Sequence, residues 1–186
     1  MMAPIYRKVH NKVQLVRWLS VAWTIDHIDS PLLVDFYNRV ILTESFQGLP
    51  LADKLLIGLC SYFDAHHLAI IMPEKMSTSF LDEVSSQVSK VSLLSDPTIL
   101  KKEKEVDLII DNRIHTSNLS PDYLPLITMR GGILPAQLKS QYNIKIDLWC
   151  CHVFWFDHRI KEDIDIKLSP YRKRWKLGFS RPLAVT

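Results

Sequence analysis

The run Leu68-Ala69-Ile70-Ile71-Met72 is too short for a buried helix and too uniformly apolar for a strand with one wet face. Such a run fits a strand buried on both sides, as in parallel sheets covered by helices. Val91-Ser92-Leu93-Leu94 gives a second short strand, Val106-Asp107-Leu108-Ile109-Ile110 another buried strand, and Leu124-Pro125-Leu126-Ile127-Thr128-Met129 a fourth. Between them lie a loop from Pro73 to Ser77, a helix capped by Ser77 or Thr78 and running to about Ser89, and a charged stretch from Lys101 to Glu105. A further helix is predicted from Ile133 to Tyr142. Strands alternating with helices imply a parallel sheet with right-handed crossovers. The expected fold class is therefore α/β. Residues 66–143 should form a small parallel sheet of about four strands, with Leu68–Met72 and Val106–Ile110 as buried neighbours.

Residues 1–65 read as a helical region. Apolar residues at broadly helical spacing from Val9 to about Ile28 give a first helix. Ser30-Pro31 has the form of an N-cap followed by proline in the first turn, opening a second helix with Leu33, Phe36, Tyr37, Val40 and Ile41 on one face. Gly48 and Pro50 break it, and a third helix runs from about Leu51 to Phe63 with Leu51, Leu55, Leu56, Leu59 and Phe63 as its buried stripe. A helix-turn-helix at Asp29-Ser30-Pro31 is disfavoured, because Leu-Leu-Val-Asp-Phe follows and offers no polar recognition face. Residues 144–186 stay unassigned: Ile144 to Phe156 is a further strand or a buried extension, and Ser169 to Thr186 is an irregular basic tail.

A chain of 186 residues, 47% apolar and 23% charged, has globular rather than disordered composition. Met1 to Val9 lacks the apolar core of a signal peptide and no run is long enough to span a bilayer, so a cytoplasmic protein is expected. Cys60, Cys150 and Cys151 make neither a disulfide framework nor a zinc spacing, and Cys60 reads as a buried small hydrophobe. The net charge of +3 is concentrated in Arg172, Lys173, Arg174, Lys176 and Arg181, which leaves nucleic-acid binding through the tail as an alternative.

The segment Leu-Ala-Ile-Ile-Met-Pro-Glu-Lys-Met-Ser-Thr-Ser, from Leu68 to Ser79, resembles the first strand, active-site loop and first helix of the IIB family of sugar phosphotransferase enzymes. Val91 onward resembles that family's second strand, Val106 to Ile110 its Asp-Leu-Ile-Ile third strand, and Leu126 to Met129 its fourth. The resemblance implies a phosphate cradled by loop N–H groups and a helix N-terminus, next to a phosphorylated cysteine. Two departures bear on activity. Met72 stands where that cysteine is expected, and a thioether cannot give the thiolate nucleophile. Pro73, Glu74 and Lys75 replace the loop glycines, removing an N–H and adding a negative charge, while Ser77, Thr78 and Ser79 keep hydroxyls that hold a small anion or simply cap the helix.

A degenerate IIB-like domain after helices is similar to the C-terminal part of transcriptional regulators of the Mga/AtxA type. That resemblance implies a non-catalytic module, without cofactor or metal. It would act as a homodimer or with a partner regulator, in contact with phosphotransferase proteins, and reach DNA only through a domain not evident in this chain. The chain would then be a fragment, a truncated paralogue or a partner of a longer regulator. The alternative is an active phosphocarrier using a residue other than cysteine.

Other polar residues have weaker patterns. His10, His27, His66 and His67 lack a phosphorylation context, and His66-His67 reads as a helix end passing into a strand. His152, Asp157 and His158 near Cys150 and Cys151 do not match a metal spacing; on one strand the two histidines would share a face about 20 Å apart. Trp149, Phe154, Trp155 and Phe156 belong to the core, or to an interface if exposed. Asp107 and Asp111 flank the third strand, and Asp111 with Arg113 and His115 is a candidate crevice at the strand's C-terminal end.

Overall fold

The computed structural model describes residues 14, 21–23, 28, 30–42, 49–102, 105–113, 124–129, 136 and 140–169. Seven strands form one sheet: β1 (His67–Ile71), β2 (Lys90–Leu94), β3 (Leu108–Asp111), β4 (Leu126–Met129), β5 (Ile144–Asp147), β6 (Cys151–Trp155) and β7 (Ile164–Lys167), in the order β2-β1-β3-β4-β6-β5-β7. The protein is α/β. The four strands anticipated from the sequence lie side by side and are all parallel, with Leu68 opposite Leu108 and Ile109 opposite Leu126. Three further strands extend this half: β6 is antiparallel to β4 and β5, and β7 is parallel to β5. Every strand except β6 therefore runs in one direction.

The sheet has two differently covered faces, because side chains alternate along each strand. Leu68, Ile70, Leu108, Ile110, Ile127, Val153 and Trp155 lie under the helices, in one cluster with Leu33, Phe36, Leu55, Leu59, Phe80 and Val84. Those helices are α1 (Pro31–Phe36), α2 (Leu51–Tyr62) and α3 (Thr78–Gln87). On the opposite face Ala69, Ile71, Ile109, Leu126 and Phe154 pack with Leu94, Val106 and Tyr142. All five β1 residues are buried, Leu68–Ile71 as their unbroken apolarity required and His67 with its ring bonded to Ser92.

The helical segment differs in detail from expectation. Pro31 opens α1, but the Ser30 side chain makes no capping hydrogen bond. Instead of continuing as an α-helix, Tyr37–Ile41 forms a π turn, with Leu42 N donating to Tyr37 O at 3.0 Å. That wider turn keeps Phe36, Tyr37 and Val40 all buried. Gly58 of α2 packs against it so closely that a Cβ there would lie 3.1 Å from Val40 O. In α2 the expected stripe is corrected at one end: Leu51 is 42% exposed, while Asp53 is buried. The helix expected from Val9 to Ile28 falls mostly outside the described residues, but Trp23 within it is extended. It bridges Leu168, with Trp23 N on Lys167 O and Ser169 N on Trp23 O, both at 2.8 Å, and so covers the β7 edge. The helix expected from Ile133 to Tyr142 lies largely outside the described residues, within which Ser140 N donates to Ala136 O. The basic tail beyond Ser169 also lies outside them.

The Ile144–Phe156 stretch resolves into a hairpin rather than one strand. Its turn has Trp149 in the left-handed region, at φ 71°. The Asp147 carboxylate accepts from Trp149 N at 2.9 Å, and Leu148 N closes on Cys151 O at 2.9 Å. Of the four aromatics expected there, Phe154 and Trp155 are core and Trp149 is half-buried in the turn. Trp155 stacks on Phe36, centroids 5.6 Å apart, and meets Phe63 edge-on at 5.5 Å, whereas Phe156 is 47% exposed. Beyond β6, Asn143 Nδ2 donates to Asp157 O and Ile160 O, and its Oδ1 accepts from Asp157 N, fixing the link into β7.

Candidate functional site

The loop after β1 holds the residues that carry the IIB resemblance. Met72 follows the last strand residue in the left-handed region, at φ 57° and ψ 61°. Its N–H donates to Leu94 O at 2.9 Å and its carbonyl accepts from Asn112 Nδ2 at 3.2 Å, so neighbouring strand ends hold this conformation. The Met72 side chain packs into the apolar cluster on the face opposite the helices. Pro73, Glu74 and Lys75 make one 3-10 turn, closed by Met76 N on Pro73 O at 2.8 Å.

Ser77 caps α3, its hydroxyl accepting from Phe80 N at 3.1 Å. The same hydroxyl donates to Asp53 Oδ2 at 2.6 Å, and Ser79 Oγ donates to that oxygen at 3.3 Å. The two hydroxyls are 3.1 Å apart. Thr78 is the first residue of α3, and its side chain is exposed. Asp53 comes from α2 and is 7% exposed, so a carboxylate of the chain itself sits at the N-terminus of α3. Helix N-termini favour an anion through their unpaired N–H groups and dipole. The hydroxyls suited to a free anion are thus engaged by an internal one. Asp53 gave little sign of this role in the sequence, beyond being a charge within an apolar helix.

The second candidate is at the C-terminal end of β3. Asp111 is fully buried and held by Arg113 in a fork, with Nε at 3.0 and 3.2 Å from its two oxygens and Nη2 at 2.8 Å. Arg113 N also donates to Asp111 Oδ1, at 2.9 Å. His115, the third residue expected there, lies outside the described residues. Sheet register supplies other neighbours. Asp111 is opposite Thr128, Thr128 opposite His152, and His152 opposite Asp147, giving one lateral row on one face with about 4.8 Å between strands. His152 Nε2 lies 3.7 Å from Asp147 Oδ1, beyond hydrogen-bond length. The Thr128 hydroxyl is buried without a hydrogen-bond partner. The row sits beside β1, whose two neighbours β2 and β3 follow it in sequence on opposite sides, the place where open α/β sheets put their ligands. Asp111, at one end of the row, is ion-paired with Arg113.

Of the other polar candidates, Asp107, His66 and His67 have structural partners. Asp107 Oδ2 accepts from both His66 N and His67 N at 2.8 Å, joining the starts of β1 and β3. His66 Nδ1 is 2.8 Å from Asp64 O, and His67 Nε2 is 2.9 Å from Ser92 Oγ. His10 and His27 lie outside the described residues. β6 ends at Trp155, so His158 is in the following turn, not on a shared strand face with His152. Among the described residues, no group of three or more His, Cys, Asp or Glu could hold a metal ion, and no helix is long and apolar enough to cross a membrane. Burial pushes the Cys60 thiol up to about 12.

The chain matches no family model, no curated protein and no solved structure.

Proposed function

We propose that this chain is a non-catalytic regulatory module of IIB-like architecture, acting through protein association in carbohydrate phosphotransferase signalling. The observation that carries the reading is Asp53 on the Ser77 and Ser79 hydroxyls, which engages with an internal carboxylate two of the hydroxyls the resemblance would offer to a phosphate. Two negative groups sharing that small space would repel, and the internal carboxylate needs no ordering from solution. Met72 adds to this, since its thioether supplies no nucleophile. The parallel order β2-β1-β3-β4, with the loop at the end of β1, also supports the IIB resemblance.

On this reading the module works in the cytoplasm as a homodimer or as part of a larger regulator. Contact with DNA would go through another domain. The active-phosphocarrier alternative is weakened by the same Asp53 contact. Incubation with labelled phosphoenolpyruvate and the general phosphotransferase proteins is the test. An unlabelled chain is expected; phosphate on Ser77, Thr78 or Ser79 would overturn the reading.

A further inference from the structure

Cys150 and Cys151 are adjacent in sequence, and in a regular strand their side chains would point to opposite faces of the sheet. Here they do not. Cys150 is the last turn residue of the β5–β6 hairpin, and its sulfur lies 3.8 Å from that of Cys151, the first residue of β6. The turn is fixed by Asp147 on Trp149 N, by the left-handed Trp149, and by Cys150 N on Leu148 O at 2.9 Å. The backbone thus holds the two sulfurs together. We propose that Cys150 and Cys151 form a vicinal dithiol that peroxide oxidises reversibly to an intrachain disulfide.

The two thiols are chemically unequal, which gives the reaction an order. Cys150 is half-buried, whereas Cys151 is fully buried. The hydrogen bond with Cys151 lowers the Cys150 thiol, and that same contact together with burial raises Cys151. Cys150 is therefore the attacking thiolate and Cys151 the resolving thiol. In the first step the Cys150 sulfur attacks a peroxide oxygen; the S–O bond forms, the O–O bond breaks, and the departing hydroxide takes a proton to become water. In the second, the Cys151 sulfur attacks the Cys150 sulfur; the S–S bond forms, the S–O bond breaks, and the leaving hydroxide takes the Cys151 proton. Two thiols lose two electrons and two protons, and one peroxide becomes two waters.

Consecutive Cα atoms across a trans peptide are about 3.8 Å apart, below the roughly 4.4–6.8 Å that disulfides span without strain. The closed ring is consequently strained and easily reduced, as suits a transient disulfide in a reducing compartment. Cys60 is a useful internal contrast, being buried with its thiol raised.

The test is peptide mass spectrometry after brief exposure of the intact protein to hydrogen peroxide. Trypsin cuts after Lys145 and Arg159, so both cysteines fall in one peptide. The expected result is a peptide lighter by two hydrogens, restored by dithiothreitol and absent from Cys150→Ser. Because Cys150 is half-buried in a turn, that variant keeps the fold; circular dichroism checks this, and Cys60→Ser should retain the wild-type response. An unchanged peptide, a peptide that only gains oxygen, or a disulfide between two chains would each overturn the proposal.

Discussion

The Ser77 hydroxyl links two helices through one oxygen: it accepts from Phe80 N and donates to the Asp53 carboxylate at 2.6 Å. Capping α3 and docking α2 onto it are therefore one interaction. Removing that oxygen uncaps a helix and takes one partner from a buried carboxylate, effects of about 1 kcal/mol and about 1–3 kcal/mol respectively. Ser77→Ala is expected to lower stability by about 2 kcal/mol in urea unfolding. A double-mutant cycle with Asp53→Ala should show coupling of about 1 kcal/mol. Additive losses would mean that the contact is not maintained in solution.

On the proposed reading, a thiol at the end of β1 should not make the chain a phosphate acceptor. Met72→Cys supplies a thiol at the end of β1, but Asp53 still occupies the Ser77 and Ser79 hydroxyls. The variant is expected to stay unlabelled in the phosphoenolpyruvate assay. Label on the introduced thiol would show that the loop admits phosphate despite the carboxylate.

Trp155 acts through the core and not through an interface. It touches Phe36, Tyr62 and Phe63 beneath the helices, so Trp155→Ala should cost about 3–5 kcal/mol. Sedimentation of the folded fraction should give the wild-type oligomeric state. A stable variant with altered association would return this aromatic stretch to an interface role.

Acid should loosen the link between β6 and β7. Hydrogen bonding and charge from Arg159 hold Asp157 down at about 2, below an ordinary unfolded value of about 3.9. A depressed carboxyl stabilises the fold above its unfolded pKa, and the contribution is lost as pH falls through the folded one. The loss should therefore run from about pH 4 to about pH 2. Asp157→Asn should flatten that limb of the stability curve. An acid limb unchanged by this variant would contradict the assignment.

Much of the sheet was legible in the sequence because burial on two faces leaves an unbroken apolar run. Leu68–Ile71 and Leu108–Ile110 show this directly, and their parallel pairing follows from the intervening helical segments. The hairpin was hidden for the opposite reason. Its turn, Leu148-Trp149-Cys150, contains no Gly, Pro or Asn, and the left-handed position is taken by a tryptophan that Asp147 holds in place. β7 alternates Ile-Asp-Ile-Lys over only four residues, too few to stand out. The sites were less legible, because they depend on contacts between distant segments. Ser77 was visible as a cap, but its partner Asp53 is 24 residues away on another helix. Asp111 and Arg113 could be paired by proximity in sequence. Thr128 and His152 join them only through a strand order in which β6 passes β5 to reach β4.

Whether the chain's own carboxylate closes the anion position is read most directly by titrating the wild-type protein with inorganic phosphate while following the amide resonances of Ser79 and Phe80. These N–H groups belong to the first turn of α3, where an anion would bind. The expected result is no saturable shift at either amide in the wild type, with shifts arising only in Asp53→Ala. A saturable phosphate shift at Ser79 and Phe80 in the wild-type chain would contradict it.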